Sequence, residues 1–332
     1  MRVLRAYGCQ PVRLLGMQKG YRNESHAAVL ASGQAVNLMV YKSEPGIAAR
    51  IQRANHVADY AYSQGLPARH TIDPRVIRLQ AGTRPRYAAL YAYLPGTTIP
   101  WEAYTQHHIK LLGETLRSLH RSLAAMPPYT LPRVSDEYLD IAGRMQCYFD
   151  ELDVTTALCQ KLGLGIDRAV LQRLSTVLHI CAQLPHQQPL HMDFVRGNIL
   201  FNTNAETGHL VVSGILDFEK TAQGHPLFDV ARTLAFLLVD CKYKEVNKVR
   251  KYFLHSGYSK QAGGIFRDTT IYDVFKSDIS ILESLVDVFL VYDFYKFLRH
   301  NPYEFLPLNE HFMRTKQILI NRNIIHSVKM VE

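Results

Sequence analysis

Two apolar runs in the middle of the chain each deliver polar side chains at one end, and no other feature restricts the fold as much. Pro189-Leu190 leads into His191-Met-Asp193-Phe-Val-Arg-Gly-Asn198, and Ile199-Leu-Phe201 resumes at once. After a polar turn over residues 202–209, Val211 to Leu216 reads as a short strand carrying Asp217-Phe-Glu219. The plain alternative is an ordinary polar turn between two buried strands. That alternative accounts for the turn, but not for an acid and an amide on one loop with a second acid beyond the next apolar run.

The residue types point to phosphoryl transfer from a nucleotide. Such a reaction asks for an acceptor hydroxyl held in line and for metal ions that neutralise the phosphates. Asp193 suits the hydroxyl. An aspartate of ordinary acidity is a weak base, but in a loose transition state the proton leaves late, so positioning matters more than basicity. Asn198 offers an amide oxygen and Asp217 carboxylate oxygens to Mg2+, which prefers oxygen and keeps several waters. His191 reads as a residue that fixes the loop. Asp229, before a helical apolar run, reads as an acceptor for backbone N–H groups near it. Arg196 stands open between a ligand-facing and a surface position.

These residues resemble the His-x-Asp-x-x-x-x-Asn loop and metal-binding Asp of protein kinases and their small-molecule relatives. Three further segments are similar to the aminoglycoside phosphotransferase and choline kinase family: Gly197-Asn198-Ile199-Leu200-Phe201, Gly224-His-Pro-Leu-Phe-Asp229-Val-Ala-Arg and Leu112-Gly-Glu-Thr-Leu-Arg-Ser-Leu-His120. The likeness runs in order from about residue 12 to about residue 240. It implies an α+β, bilobal, protein-kinase-like fold. A small antiparallel-sheet N-terminal lobe, residues 1–92, would bind nucleotide, and a larger, mainly helical lobe, residues 93–332, would hold the catalytic groups and the acceptor. It also implies a kinase that uses ATP or GTP with Mg2+ and a small hydroxyl-bearing substrate. Glu219 stands where protein kinases have Gly, and no Ala-Pro-Glu follows Asp217, so a protein kinase is not expected.

Upstream, Val12 to Leu15 and Ala27 to Leu30 read as strands around Gly16 and Gly20. A strand–turn–strand of this kind can lay backbone N–H groups over phosphates. Gly20 and Asn23 resemble the family's Gly-Gly-x-x-Asn turn, while a plain hairpin is the alternative. Ala35 to Lys42 reads as a third strand. By resemblance Lys42 reaches the nucleotide phosphates, with Val40 on the same strand face as the other occupant of that position; a strand-end surface lysine is the alternative. Ile47, Ile51, Ala54, Ala58 and Ala61 recur at helical spacing until Gly65 and Pro67. Kinase-like enzymes usually place a Glu on this helix to pair the strand lysine. Here Ala54-Asn55 occupies the place, and Glu44 and Asp59 are the only nearby acids. The gap motivates a second expectation, a catalytically weak or inactive nucleotide-binding scaffold on the same fold. Tyr87 to Leu94 reads as an apolar strand leading, by resemblance, to the hinge. Backbone groups from Tyr91 to Leu94, Tyr93 among them, would then bond the adenine.

Beyond the hinge the apolar spacing turns helical, with stripes at Ile109–Leu123 and Val170–Leu184, Asp167 as N-cap of the latter, and a helix or two over residues 137–162. Ile281 to Leu298 carries Glu283, Asp287, Asp293 and Lys296, so it reads as a buried amphipathic helix and not a membrane span. Its neighbours Phe289, Tyr292, Phe294 and Tyr295 read as core packing in preference to a cage for a quaternary amine. Asp240, Asp287 and Asp293 either line a pocket for a cationic substrate or face solvent. The net charge of +9 is spread along the chain without a run of five basic residues, so nucleic acid is not the expected partner. Five scattered cysteines without a Cys-x-x-Cys pair suggest neither zinc nor a disulfide framework. No apolar run opens the chain, and a reducing cytoplasm without membrane attachment fits best.

Overall fold

The computed structural model describes residues 2–19, 23–81, 84–259 and 279–328. Two compact units form, each drawn from several stretches: residues 1–99, 121–129 and 196–221 in the first, residues 100–120, 130–195 and 222–332 in the second.

In the first unit, β1 (Pro11–Lys19), β2 (Glu24–Leu30), β3 (Ala35–Tyr41), β4 (Thr71–Ala81) and β5 (Arg84–Ala92) build one antiparallel sheet in the order β1-β2-β3-β5-β4. Successive strand residues point to opposite faces, and the two faces bury different partners. Val36, Leu38, Val40, Ala88 and Leu90 pack with Leu4 and Tyr7 at the short helix α1 (Arg2–Ala6). Tyr41, Ala89 and Tyr91 pack with Ile47 and Ile51 of α2 (Ile47–Ser63). Strand β4 had no signature in the sequence, because Pro74 and three charged residues break its alternation. The sheet accepts it at an edge, where a proline costs no ladder bond, and its register slips between Asp73 and Ile77.

From α3 (Gln106–Ala124) the chain runs through α4 (Val134–Asp150), α5 (Leu152–Leu162), β6 (Leu164–Ile166), α6 (Arg168–Gln183) and β7 (Gln188–Leu190). Asp167 occupies the N-cap position of α6 but makes no side-chain cap bond. A hairpin, β8 (Ile199–Thr203) and β9 (Leu210–Ile215), belongs to the first unit. Then follow β10 (Ala222–Gly224), α7 (Leu227–Asp240), α8 (Val246–Arg250), a π-helical stretch (Lys251–Tyr258), α9 (Ile279–His300), α10 (Glu310–Asn321) and β11 (Ile325–Ser327). The second unit centres on α7, buried along almost its whole length and packed against α9. Small two-stranded pairs, β10 with β7 and β11 with β6, complete it. The fold is α+β, with its five-stranded antiparallel sheet in the first unit and most of its helices in the second. Among the described residues no helix is long and apolar enough to cross a membrane.

Helix α9 bears on two open readings. Phe289 and Phe294 are fully buried core residues, and the faces of Tyr292 and Tyr295 are met by the chain's own Lys296 and Arg299, at 4.7 and 5.8 Å from the ring centroids. Asp293 pairs with Arg232 and Lys296, and Asp287 with Arg322. Asp293 also lines a pocket with Phe236, Phe297 and His311, and Asp240 is buried 3.7 Å from His311.

Gly113 is among the glycines fixed by close approach. A Cβ on Gly113, in the middle of α3, would stand 2.7 Å from the backbone nitrogen of Tyr258 and overlap the carbonyl oxygen of Phe253. Gly113→Ala is therefore expected to lower unfolding free energy by about 1–3 kcal/mol through overpacking. Gly143→Ala in α4, where a Cβ meets nothing within 4 Å, should be neutral or stabilising by up to about 1 kcal/mol. Thermal melts of the two variants check this; equal effects would show that the contact of Gly113 is not what matters.

Candidate active site

The two halves of the polar loop belong to different compact units. Residues up to 195 lie in the second and residues from 196 in the first.

In the second unit, β7 ends at Leu190 and the chain turns sharply, with Met192 in the left-handed region at φ 59°. The turn is anchored by Asp229, in the first turn of α7 and fully buried. Its Oδ2 accepts from the His191 backbone N–H at 2.7 Å and its Oδ1 from that of Met192 at 2.6 Å. His120 Nε2 lies 3.2 Å from the same carboxylate, and His120 Nδ1 is 2.6 Å from the hydroxyl of Tyr258. His191 is also fully buried, and its Nδ1 accepts from the Asp193 N–H at 3.1 Å. The Thr233 hydroxyl of α7 donates to the Phe194 carbonyl at 3.0 Å. Helix α7 thus grips the loop at His191, Met192 and Phe194, and the half-buried Asp193 lies between the last two. The buried guanidinium of Arg232 acts on Asp193 electrostatically.

In the first unit, the register of β8 on β9 pairs Ile199 with Ile215. Asn198 precedes one strand and Asp217 follows the other, so both stand at one end of the hairpin. The Leu216 N–H donates to the Asn198 carbonyl at 2.8 Å and extends the pairing to that end. Asp217 is in the left-handed region at φ 56°, and its carboxylate accepts from the Glu219 N–H at 3.4 Å. Arg196 turns away to the Ile99 carbonyl at 3.3 Å. One amide and one carboxylate at a hairpin end suit Mg2+ held by few protein oxygens. Among the described residues no group of three or more His, Cys, Asp or Glu side chains is placed to hold a metal ion.

Around Asp217 the structure assembles Glu219 and Asn23 with two arginines, Arg69 and Arg50, that the sequence did not single out. Glu219 packs under α2, and its carboxylate accepts from Asn23 Nδ2 at 3.2 Å. Burial and the Asp217 charge push the Glu219 carboxyl up to about 7, against the pull of Arg69 and Arg50. Asn23 Oδ1 in turn accepts from the Lys42 N–H at 3.4 Å. Lys42 itself lies one residue beyond β3 and is exposed. The strand residue that faces α2 at this point is Tyr41, whose hydroxyl is 2.7 Å from that of Tyr91. Tyr91 donates to Asn55 Oδ1 at 2.8 Å. The two nearby acids are engaged elsewhere: Glu44 with Arg50 at 2.9 Å, Asp59 with the Thr71 N–H and hydroxyl at 2.7 Å each. Tyr93 is partly exposed, and its N–H is committed to the Ala35 carbonyl at 3.3 Å. Gly20 lies outside the described residues.

A sequence profile described as the phosphotransferase enzyme family matches residues 17–243. An uncharacterized protein of Synechocystis sp., sll1119, is 26% identical over 234 residues, which cover 67% of this chain and 57% of the relative. The chain thus spans little more than half the length of that relative. Among solved structures, a microcompartment-associated aminopropanol kinase matches with a TM-score of 0.68 at 13% identity over 97% of this chain and 98% of the other. Amicoumacin kinase hAmiN, in complex with AMP-PNP and Ca2+, matches with 0.67 at 13% over 99% and 95%. Aminoglycoside phosphotransferase APH(4)-Ia matches with 0.60 at 14% over 96% of each chain. At such identities the structural likeness is one of fold.

Proposed function

Because the chain belongs to the phosphotransferase enzyme family, we propose that it moves the gamma-phosphate of ATP or GTP, with Mg2+, to a hydroxyl of a small molecule. Asp193 orients the acceptor hydroxyl and takes its proton. Asn198 and Asp217 hold the divalent cation through oxygen, and a cation bound there neutralises phosphate charge. His191 and Asp229 hold the loop that carries Asp193. Residues 1–92, with the turn at Gly20 and Asn23 and the strand end at Tyr91 and Tyr93, serve the nucleotide; residues 93–332 serve the chemistry and the acceptor. What carries this reading is the β8–β9 register, which delivers an amide oxygen and a carboxylate to one end of a rigid hairpin. The small acceptor is assigned by likeness to an aminopropanol kinase and an aminoglycoside phosphotransferase.

Incubation of the full chain with labelled ATP or GTP, Mg2+ and a pool of hydroxyl-bearing metabolites is expected to yield a labelled small product. Chelation of the metal with EDTA should abolish it. A second reading, a nucleotide-binding scaffold without turnover, draws on Asn55 standing where a helix carboxylate is usual and on Lys42 lying exposed just beyond its strand. Nucleotide binding with no labelled product across a broad pool would favour that reading over the first.

A further inference from the structure

Arg69 follows Pro67-Ala68 directly, and that segment is clamped to the end of β9 by a parallel bridge between Ala68 and Ile215. The Arg69 N–H donates to the Ile215 carbonyl at 2.9 Å, and the Ile215 N–H to the Pro67 carbonyl at 2.8 Å. The clamp sets Arg69 beside the strand that leads into Asp217, and Asp217 and Glu219 both act on its charge. Its side chain is only 6% exposed. The guanidinium carbon lies 4.3 Å from the centroid of the Tyr91 ring. Nε has no hydrogen-bond partner, and among the described residues no carboxylate comes within ion-pair distance of the group.

A buried guanidinium is an unusual thing to leave unpaired. It cannot shed its charge at any ordinary pH, and a ring face offsets only part of the lost hydration. Asn55, whose Oδ1 accepts from the Tyr91 hydroxyl, carries a second buried donor without an acceptor in its Nδ2. A buried guanidinium with an orphaned donor, within reach of the charge of a proposed metal-binding carboxylate, calls for a ligand rich in acceptors and negative charge. A phosphate chain is such a ligand, and the planar fork of an arginine binds its oxygens bidentately. We propose that Arg69 holds the phosphate chain of the nucleotide, in the part that related enzymes give to a basic residue on the third strand. The inference rests on the phosphotransferase reading. It replaces Lys42, which is exposed beyond the strand, as the principal phosphate cation.

The test is calorimetric titration of the full chain with adenosine, AMP and ADP in Mg2+, or the guanine series if wild type prefers it. Arg69→Met should weaken ADP binding by about 10- to 100-fold, the worth of a charge-assisted pair of hydrogen bonds, and leave adenosine binding within about twofold. Without nucleotide the variant should melt at or above the wild-type temperature, since a buried charge has gone. An unchanged ratio of ADP to adenosine affinity overturns the proposal. So does a large drop in nucleotide-free stability, which would make Arg69 a structural tie. Should Arg69→Met fail to fold, wild-type crystals grown with Mg-ADP decide: phosphate oxygens on the guanidinium support the proposal, and phosphates elsewhere overturn it. Wild-type protein that neither binds nucleotide nor transfers phosphate takes down the phosphotransferase reading as well. Wild-type protein that does both, with Arg69→Met unaltered, takes down the role of Arg69 alone.

Discussion

Asp193→Asn is expected to slow phosphate transfer by about 100- to 10,000-fold, or about 3–5 kcal/mol in barrier height, with nucleotide affinity within a few-fold of wild type. The amide keeps the size of the carboxylate and can still touch the acceptor, but it cannot take the proton. The backbone around it is held by bonds that the substitution leaves alone: the residue's own N–H to His191 Nδ1, and the Val195 N–H to its carbonyl at 2.8 Å. The loss should therefore appear in kcat and not in folding. Rate measurements at saturating nucleotide and acceptor, beside a thermal melt, separate the two. Turnover within tenfold of wild type would remove Asp193 from the mechanism.

Asp229→Ala is expected to lower unfolding free energy by about 3–5 kcal/mol. Its carboxylate is fully buried and accepts from two successive backbone N–H groups, with His120 as a third contact. Alanine leaves those donors without water or a partner, and each orphaned group costs about 1–3 kcal/mol. Asp229→Asn should fall between alanine and wild type, because its single oxygen can serve one donor and its NH2 group faces the other. Urea unfolding of both variants gives the comparison. A loss below about 1 kcal/mol for alanine would mean that the loop is held by other contacts. The same variant should lose transfer activity beyond its loss of folded protein, since the turn at Met192 aims the next side chain.

The strands and helices with clean periodicity were legible in advance, and so was the family. The hairpin that carries Asn198 and Asp217 could be read from apolar runs of strand length around a polar turn. Strand β4 could not, because an edge position tolerates the proline and charges that hide it. Lys42 follows β3 directly and is exposed, while Tyr41, on the opposite face of the strand, packs against α2; a chain-order match to the family does not distinguish the two surroundings.

The local pattern by itself pointed to phosphoryl transfer, the reaction class to which the family match also points. Which cation stands beside Asp217 was decided only by tertiary structure. Nothing near Gly65-Leu-Pro67-Ala-Arg69 distinguishes its arginine from a loop arginine in water. Its burial comes from a bridge to Ile215, remote in sequence, and its character from the ring of Tyr91 and the charges of Asp217 and Glu219. Burial and charge environment are properties of all the neighbours a residue acquires on folding, and most of those neighbours lie far away along the chain.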